Sequence, residues 1–79
     1  MPKIPRITAA KTIKALEKLG FVKVRQKGSH VVLKKRLNNS ENTEIGCVVP
    51  FHKKTLAVGT LKNILNQAHV SVEEFIENL

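Results

Sequence analysis

The chain is poor in cysteine and aromatic residues and has no long apolar run. Its 79 residues contain one cysteine, Cys47, which excludes an internal disulfide and any zinc-finger spacing of cysteines. No apolar run approaches the ~20 residues of a transmembrane helix, and the start, MPKIPRITAAK, lacks the apolar stretch of a signal peptide. We therefore expect a soluble cytoplasmic protein with no membrane partner, in which Cys47 is a small buried apolar residue.

Acidic residues are also scarce. Six Asp and Glu stand against 14 Lys and Arg, which gives a formal net charge of +8 and a sequence pI of about 10.1. This balance favours a polyanionic partner such as nucleic acid. The length predicts one domain over residues 1–79, too short for an enclosed cofactor cleft, so we expect no small-molecule cofactor and chemistry on an open face.

Three segments have the apolar spacing of amphipathic helices. The first covers about residues 9–19, where Thr8 is the expected N-cap and Gly20 has the position of a C-terminal cap. The segments GTLKNILNQA and SVEEFIENL predict two further helices near the end of the chain. No linker, repeat or low-complexity tract separates these segments.

Between the first two helices the pattern changes to that of strands. FVKVRQ alternates with a period of two, KG can form a two-residue turn, and SHVVLKKRL continues as a second strand. A polar loop, LNNSENT, precedes a third strand, EIGCVV, which Pro50 closes. The order predicts an α+β two-layer sandwich of α-β-β-β-α-α type, with a three-stranded antiparallel sheet and helices on one face, as in double-stranded-RNA-binding domains.

The hairpin register decides which residues face solvent. Pairing about Lys27 and Gly28 places Arg25 opposite His30 and Val24 opposite Val31, so that one face is wholly apolar. A slip by one residue would instead bury His30 and expose Val24, against the hydrophobic pattern. The face away from the core is then predicted to carry Lys23, Arg25, His30, Val32, Lys34 and Arg36.

Four short motifs follow one another along the chain. They are Gly20 with Phe21, then Gly28, Ser29 and His30, then the Val-Pro-x-His segment from Val49 to His52, and last Gly59, Thr60 and Leu61. Taken together and in this order, from about Ile13 to the C-terminus, they resemble the HicA family of toxin ribonucleases from bacterial toxin–antitoxin pairs.

The resemblance implies an endoribonuclease that cleaves messenger RNA without a metal and is held in check by a HicB-type antitoxin. His30 matches the family's catalytic histidine. RNA carries its own nucleophile, the 2′-hydroxyl, so cleavage needs proton-transfer groups, which an imidazole can supply, and cations to stabilise the transition state. The candidate RNA-binding residues are Lys23, Arg25, Lys27, Gly28, Ser29 and Lys34, and His52 is a possible accessory group.

Structural alternatives stand beside each of these roles. His30 can be a solvated residue at a strand start, the basic strand face can serve solubility, and Gly28 can simply permit a tight turn. At the level of function, two rivals remain: a non-catalytic RNA-binding module and a protein-binding subunit whose charge serves an acidic partner. The absence of Trp and Tyr argues against base stacking on the sheet as the binding mode.

Overall fold

The computed structural model describes residues 4–36, 44–51 and 55–79. Its elements are α1 (Ala9–Lys18), β1 (Val22–Lys27), β2 (His30–Arg36), β3 (Glu44–Pro50), α2 (Val58–Ala68) and α3 (Val72–Glu77). The predicted polar loop and His52 lie outside the described residues. Within the described ranges, none of the helices has the length and apolar character needed to cross a membrane.

The three strands form one antiparallel sheet in the order β1-β2-β3. The helices lie on one side of it, and α1 and α2 make their main sheet contacts with β3. Before the helices, the Leu56 N–H donates to the Ile7 carbonyl at 2.8 Å and joins the segments that lead into α1 and α2. The fold is therefore the predicted α+β arrangement with one sheet face left open.

One hydrophobic core fills the space between the sheet and the helices. The sheet contributes Val31 and Leu33 from β2 and Cys47 and Val49 from β3, all at most 2% exposed. The helices meet them with apolar side chains at helical spacing, which are Ile13, Leu16, Leu61, Ile64, Leu65, Ala68 and Phe75. Cys47 is buried, as predicted.

The helix ends follow from local residues. The Thr8 side chain accepts a hydrogen bond from the Lys11 N–H, so Thr8 is the N-cap that the sequence predicted. Gly20, with φ of +102°, lets the chain leave α1. Ser71 caps α3 in the same way as Thr8, through the Glu74 N–H. His69 ends α2 in the left-handed region, at φ of 56°.

The predicted hairpin turn was wrong by one residue. The loop consists of Gly28 and Ser29, and Lys27 is the last residue of β1, paired with His30. Arg25 consequently pairs with Val32 and not with His30. The reason is that a positive φ, here +59° at Gly28, suits the first position of a two-residue hairpin turn of type II′.

A β-bulge produced the second departure from the predicted register. The pairing shifts between Lys23 and Arg25, so that Val24 has no partner, Lys23 pairs with Leu33 and Val22 pairs with Lys34. Because side chains alternate along a strand, one extra residue exchanges the faces of all residues on one side of it. Val22 and Val24 are 61% and 51% exposed, so the expected apolar face does not extend to β1.

Candidate functional site

The sheet surface opposite the helices, which we call the open face, carries the outward-directed residues of three strands. Since Val31 and Leu33 point into the core, the alternate residues of β2 point outward, and their partners on β3 do so as well. These outward residues are His30, Val32, Lys34 and Arg36 on β2, Pro50, Val48, Gly46 and Glu44 on β3, and Lys27, Arg25 and Val22 on β1. His30 therefore lies outside the core, as predicted.

An open depression of about 650 Å³ surrounds His30 at one end of this face. We call it the histidine depression. Its lining combines two cations, an imidazole, a hydroxyl and two apolar side chains, from Arg25, Lys27, Gly28, Ser29, His30, Val32 and Val48. The depression thus gathers five of the predicted site residues from two adjacent strands and the turn that joins them.

The hairpin loop fixes the start of β2, where His30 lies. Lys27 and His30 face each other directly across the two strands, a pairing that brings the Cβ atoms of such residues to about 5 Å. The Ser29 carbonyl accepts a hydrogen bond from the Phe51 N–H, which ties the loop to the end of β3. His30 is also paired with Pro50, so strands on both sides hold the backbone of the exposed imidazole.

Lys23 lies on the other side of the sheet. It pairs with Leu33, a fully buried residue that faces the helices, and directly paired residues share a face. Its predicted place on the open face is therefore wrong. Lys23 remains exposed because β1 is an edge strand beyond the main helix cover.

Lys34 is on the open face, as predicted, but in a second depression. This depression, of about 460 Å³, is lined by Gly20, Val22, Val24, Lys34, Arg36 and Glu44. Lys34 lies four residues from His30 along β2, a separation of about 13 Å. Glu44 is paired with Arg36 and is the one acidic side chain on the described part of the open face, so the balance of charge there is positive.

Four valines line the two depressions of the open face, Val32 and Val48 in the histidine depression and Val22 and Val24 in the second one. We call them the valine strip; Val22, Val24 and Val48 are exposed, and Val32 is half-buried. The sequence interpretation placed Val32 on this face but not the other three. Alternation in EIGCVVP would have found Val48, because Cys47 and Val49 are the apolar inward residues on either side of it.

The thiol of Cys47 lies in the core, away from the open face. Burial raises the pKa of the Cys47 thiol from 9.0 to about 11, so Cys47 is uncharged near neutral pH. Among residues 4–36, 44–51 and 55–79, no three His, Cys, Asp or Glu side chains are grouped as they would be around a metal ion.

Fold and site together define a class: a small α+β domain whose open, basic sheet face presents His30 in a depression lined by cations. Comparison with family models assigns the chain to a protein family. Residues 9–70 match the model of the HicA toxin of bacterial toxin–antitoxin pairs, so the chain belongs to the HicA toxin family and is a toxin of such a pair. A search of curated proteins found no significant match to this chain.

Proposed function

We propose that this HicA-family toxin is an endoribonuclease that cleaves messenger RNA at the histidine depression without a metal. His30 is the proposed proton-transfer group, and no resident cofactor takes part. The observation that carries the proposal is the exposed imidazole of His30 beside the cations Arg25 and Lys27, on a face that core packing leaves open. The family match supports the toxin role to which this activity would belong.

The proposed reaction uses the 2′-hydroxyl of RNA as nucleophile. His30 accepts its proton while the 2′-oxygen bonds to phosphorus, and the bond from phosphorus to the 5′-oxygen breaks as that oxygen takes up a proton. The products are a 2′,3′-cyclic phosphate and a 5′-hydroxyl end. Ser29, next to His30, is proposed to orient the imidazole, and His52, outside the described residues, is proposed as an accessory proton-transfer group.

The basic side chains of the open face have a proposed role other than proton transfer. Negative charge increases on the phosphate oxygens as the transition state forms, and fixed cations stabilise it there. Arg25 and Lys27 border the histidine depression, and Lys34 lies about 13 Å along the same strand, far enough to hold a neighbouring phosphate. Lys23, on the helix side, is not part of this proposed surface. Gly28 contributes backbone conformation, since no atom lies within 4 Å of the position its Cβ would take.

Cleavage by purified protein tests the proposal. Wild-type protein incubated with single-stranded RNA in the presence of a chelator should yield fragments with 5′-hydroxyl ends. His30→Ala should cleave about 10²- to 10⁴-fold more slowly, the usual contribution of general acid–base catalysis. Because His30 is exposed, this substitution should change the free energy of unfolding of the protein by less than about 0.5 kcal/mol.

His69→Asn is the matched control. His69 is the other exposed histidine among the described residues, it lies at the end of α2, and asparagine tolerates its left-handed backbone. This variant should cleave as fast as wild type. If wild-type protein bound RNA without cutting it, the chain would be a non-catalytic RNA-binding module. Undiminished cleavage by His30→Ala would remove His30 from the reaction.

We also propose that the cognate antitoxin, of HicB type, covers the open face. The valine strip provides an apolar centre with basic residues around it, the composition expected of a protein-binding surface with an acidic partner. Val48, at 38% exposed, lines the histidine depression and should be covered in the complex. An antitoxin bound there would exclude RNA from His30.

Competition between the antitoxin and RNA tests this second proposal. Titration of the antitoxin should suppress cleavage, displace RNA and protect His30 from diethyl pyrocarbonate, which modifies exposed imidazoles. His69 serves as the internal control because it lies at the end of α2, away from the open face, and should remain reactive. An inhibited complex in which His30 stays reactive and RNA stays bound would contradict the shared surface.

A further inference from the structure

A second basic surface lies on the helical side of the molecule. A groove of about 420 Å³ runs along α1 and is lined by Ile7, Lys11, Lys14, Ala15, Lys18, Asn78 and Leu79. We call it the lysine groove. It shares no residue with either depression of the open face. Since the buried side of α1 packs into the core beneath the sheet, the groove and the open face point in opposite directions.

The three lysines form a row because of their spacing on α1. Lys11, Lys14 and Lys18 are three and four residues apart, which places them on one face of the helix over about 10 Å. Like charges at these spacings oppose each other and destabilise a helix. Lys18, in the last turn, is favoured by the helix dipole, but Lys11, in the first turn, is not, and α1 contains one acidic residue, Glu17, against its three lysines.

The rest of the lining identifies the chemistry of a ligand. Ile7 and Leu79 provide an apolar surface beside the lysines, and Leu79 is 47% exposed. Among the described residues, no acidic side chain lines the groove and no aromatic side chain does. RNA would offer phosphates to the lysines, but it has no aliphatic side chain to cover Ile7 and Leu79. A protein segment with carboxylates and an aliphatic side chain matches both parts of the lining.

We propose that the lysine groove binds an acidic segment of a partner protein through two or more carboxylates and one aliphatic side chain. An extended chain covers the row of lysines in about three residues, so a short Glu-Leu-Glu sequence suffices. Because the groove and the open face point in opposite directions, both can be occupied at once. The proposal does not depend on ribonuclease activity, since it concerns a separate surface.

Residue-resolved NMR titration of the full chain tests the site. The probe is a short peptide of glutamate with leucine at alternate positions, and the comparison peptide has glutamine in place of leucine. The leucine peptide should shift the amide signals of α1 and Leu79, and the glutamine peptide should shift them less. Shifts confined to the amide signals of open-face residues would overturn the proposal. So would a single-stranded RNA that shifted α1 when the peptides did not, because the groove would then be an RNA site.

A pair of double variants separates the groove from the overall charge. Lys11→Glu with Lys14→Glu should weaken binding of the leucine peptide about tenfold or more, since two exposed ion pairs become repulsive. This variant should fold, because Glu at position 11 would complete a capping box with Thr8. Lys23→Glu with Lys62→Glu carries the same net charge outside the groove and should bind nearly as wild type. Equal loss in both variants would overturn the proposal.

Discussion

The two faces of the sheet should make different contributions to the salt dependence of RNA binding. Arg25 lies on the open face beside His30, whereas Lys23, two residues earlier in the same strand, pairs with Leu33 on the helix side. Both residues are exposed and each carries one positive charge. Arg25→Gln and Lys23→Gln therefore change the net charge equally and differ in the face from which the charge is removed.

The magnitude follows from counterion release. Each phosphate contact adds about 0.7 to the slope of log affinity against log salt for a single strand. Three contacts, from Arg25, Lys27 and Lys34, predict a slope of about −2.1, so affinity should fall roughly eighteenfold from about 50 to about 200 mM salt. With Arg25→Gln the slope should become about −1.4 and the loss roughly sevenfold.

Fluorescence anisotropy with a labelled single-stranded RNA measures these slopes. His30→Ala is a suitable background for all variants, because the RNA must stay intact during the titration. Lys23→Gln should keep the slope of that background. If Lys23→Gln flattened the slope as much as Arg25→Gln does, either the bulge at Val24 or the open face as the RNA surface would be wrong.

Two further predictions concern stability and reactivity. Leu33→Ala should lower the free energy of unfolding by about 2–5 kcal/mol in urea denaturation, whereas Val24→Ala should change it by less than about 0.5 kcal/mol; similar losses would contradict the bulge. The Cys47 thiol, with its pKa raised to about 11, should react with iodoacetamide at pH 8 about a hundredfold more slowly in the folded than in the unfolded chain. The native rate should rise about tenfold per pH unit until that pKa, and a rate that levelled off near pH 9 would show that burial does not raise the pKa.

Features that depend on neighbours in the chain were predicted well. The first helix was expected over about residues 9–19 and covers Ala9–Lys18, with Thr8 as its N-cap. The third strand was expected to end at Pro50 and does so. Such features depend on backbone propensity and on hydrogen bonds between residues a few positions apart, which the sequence displays directly.

The sequence predicted that His30 lies on the open face, and this prediction was correct although the predicted strand register was wrong. The predicted pairing differed from the observed pairing by two residues at Arg25, which met Val32 instead of His30. A difference of two residues leaves every side chain on its original face, because side chains alternate with a period of two. His30 and Arg25 therefore stayed on the open face, although their predicted direct pairing was wrong.

The sequence by itself determined the helices, the existence of the hairpin, the buried residues of β2 and the family motifs around His30, because local propensity and apolar spacing specify them. Only the tertiary structure decided the faces of Val22 and Lys23. Their alternation predicts a buried valine and an exposed lysine, but a side chain is buried only where another layer covers it. The helices contact β3 most closely and leave the edge strand β1 largely uncovered, so a bulge at Val24 exposes the valines at little cost in lost burial and turns Lys23 away from the open face.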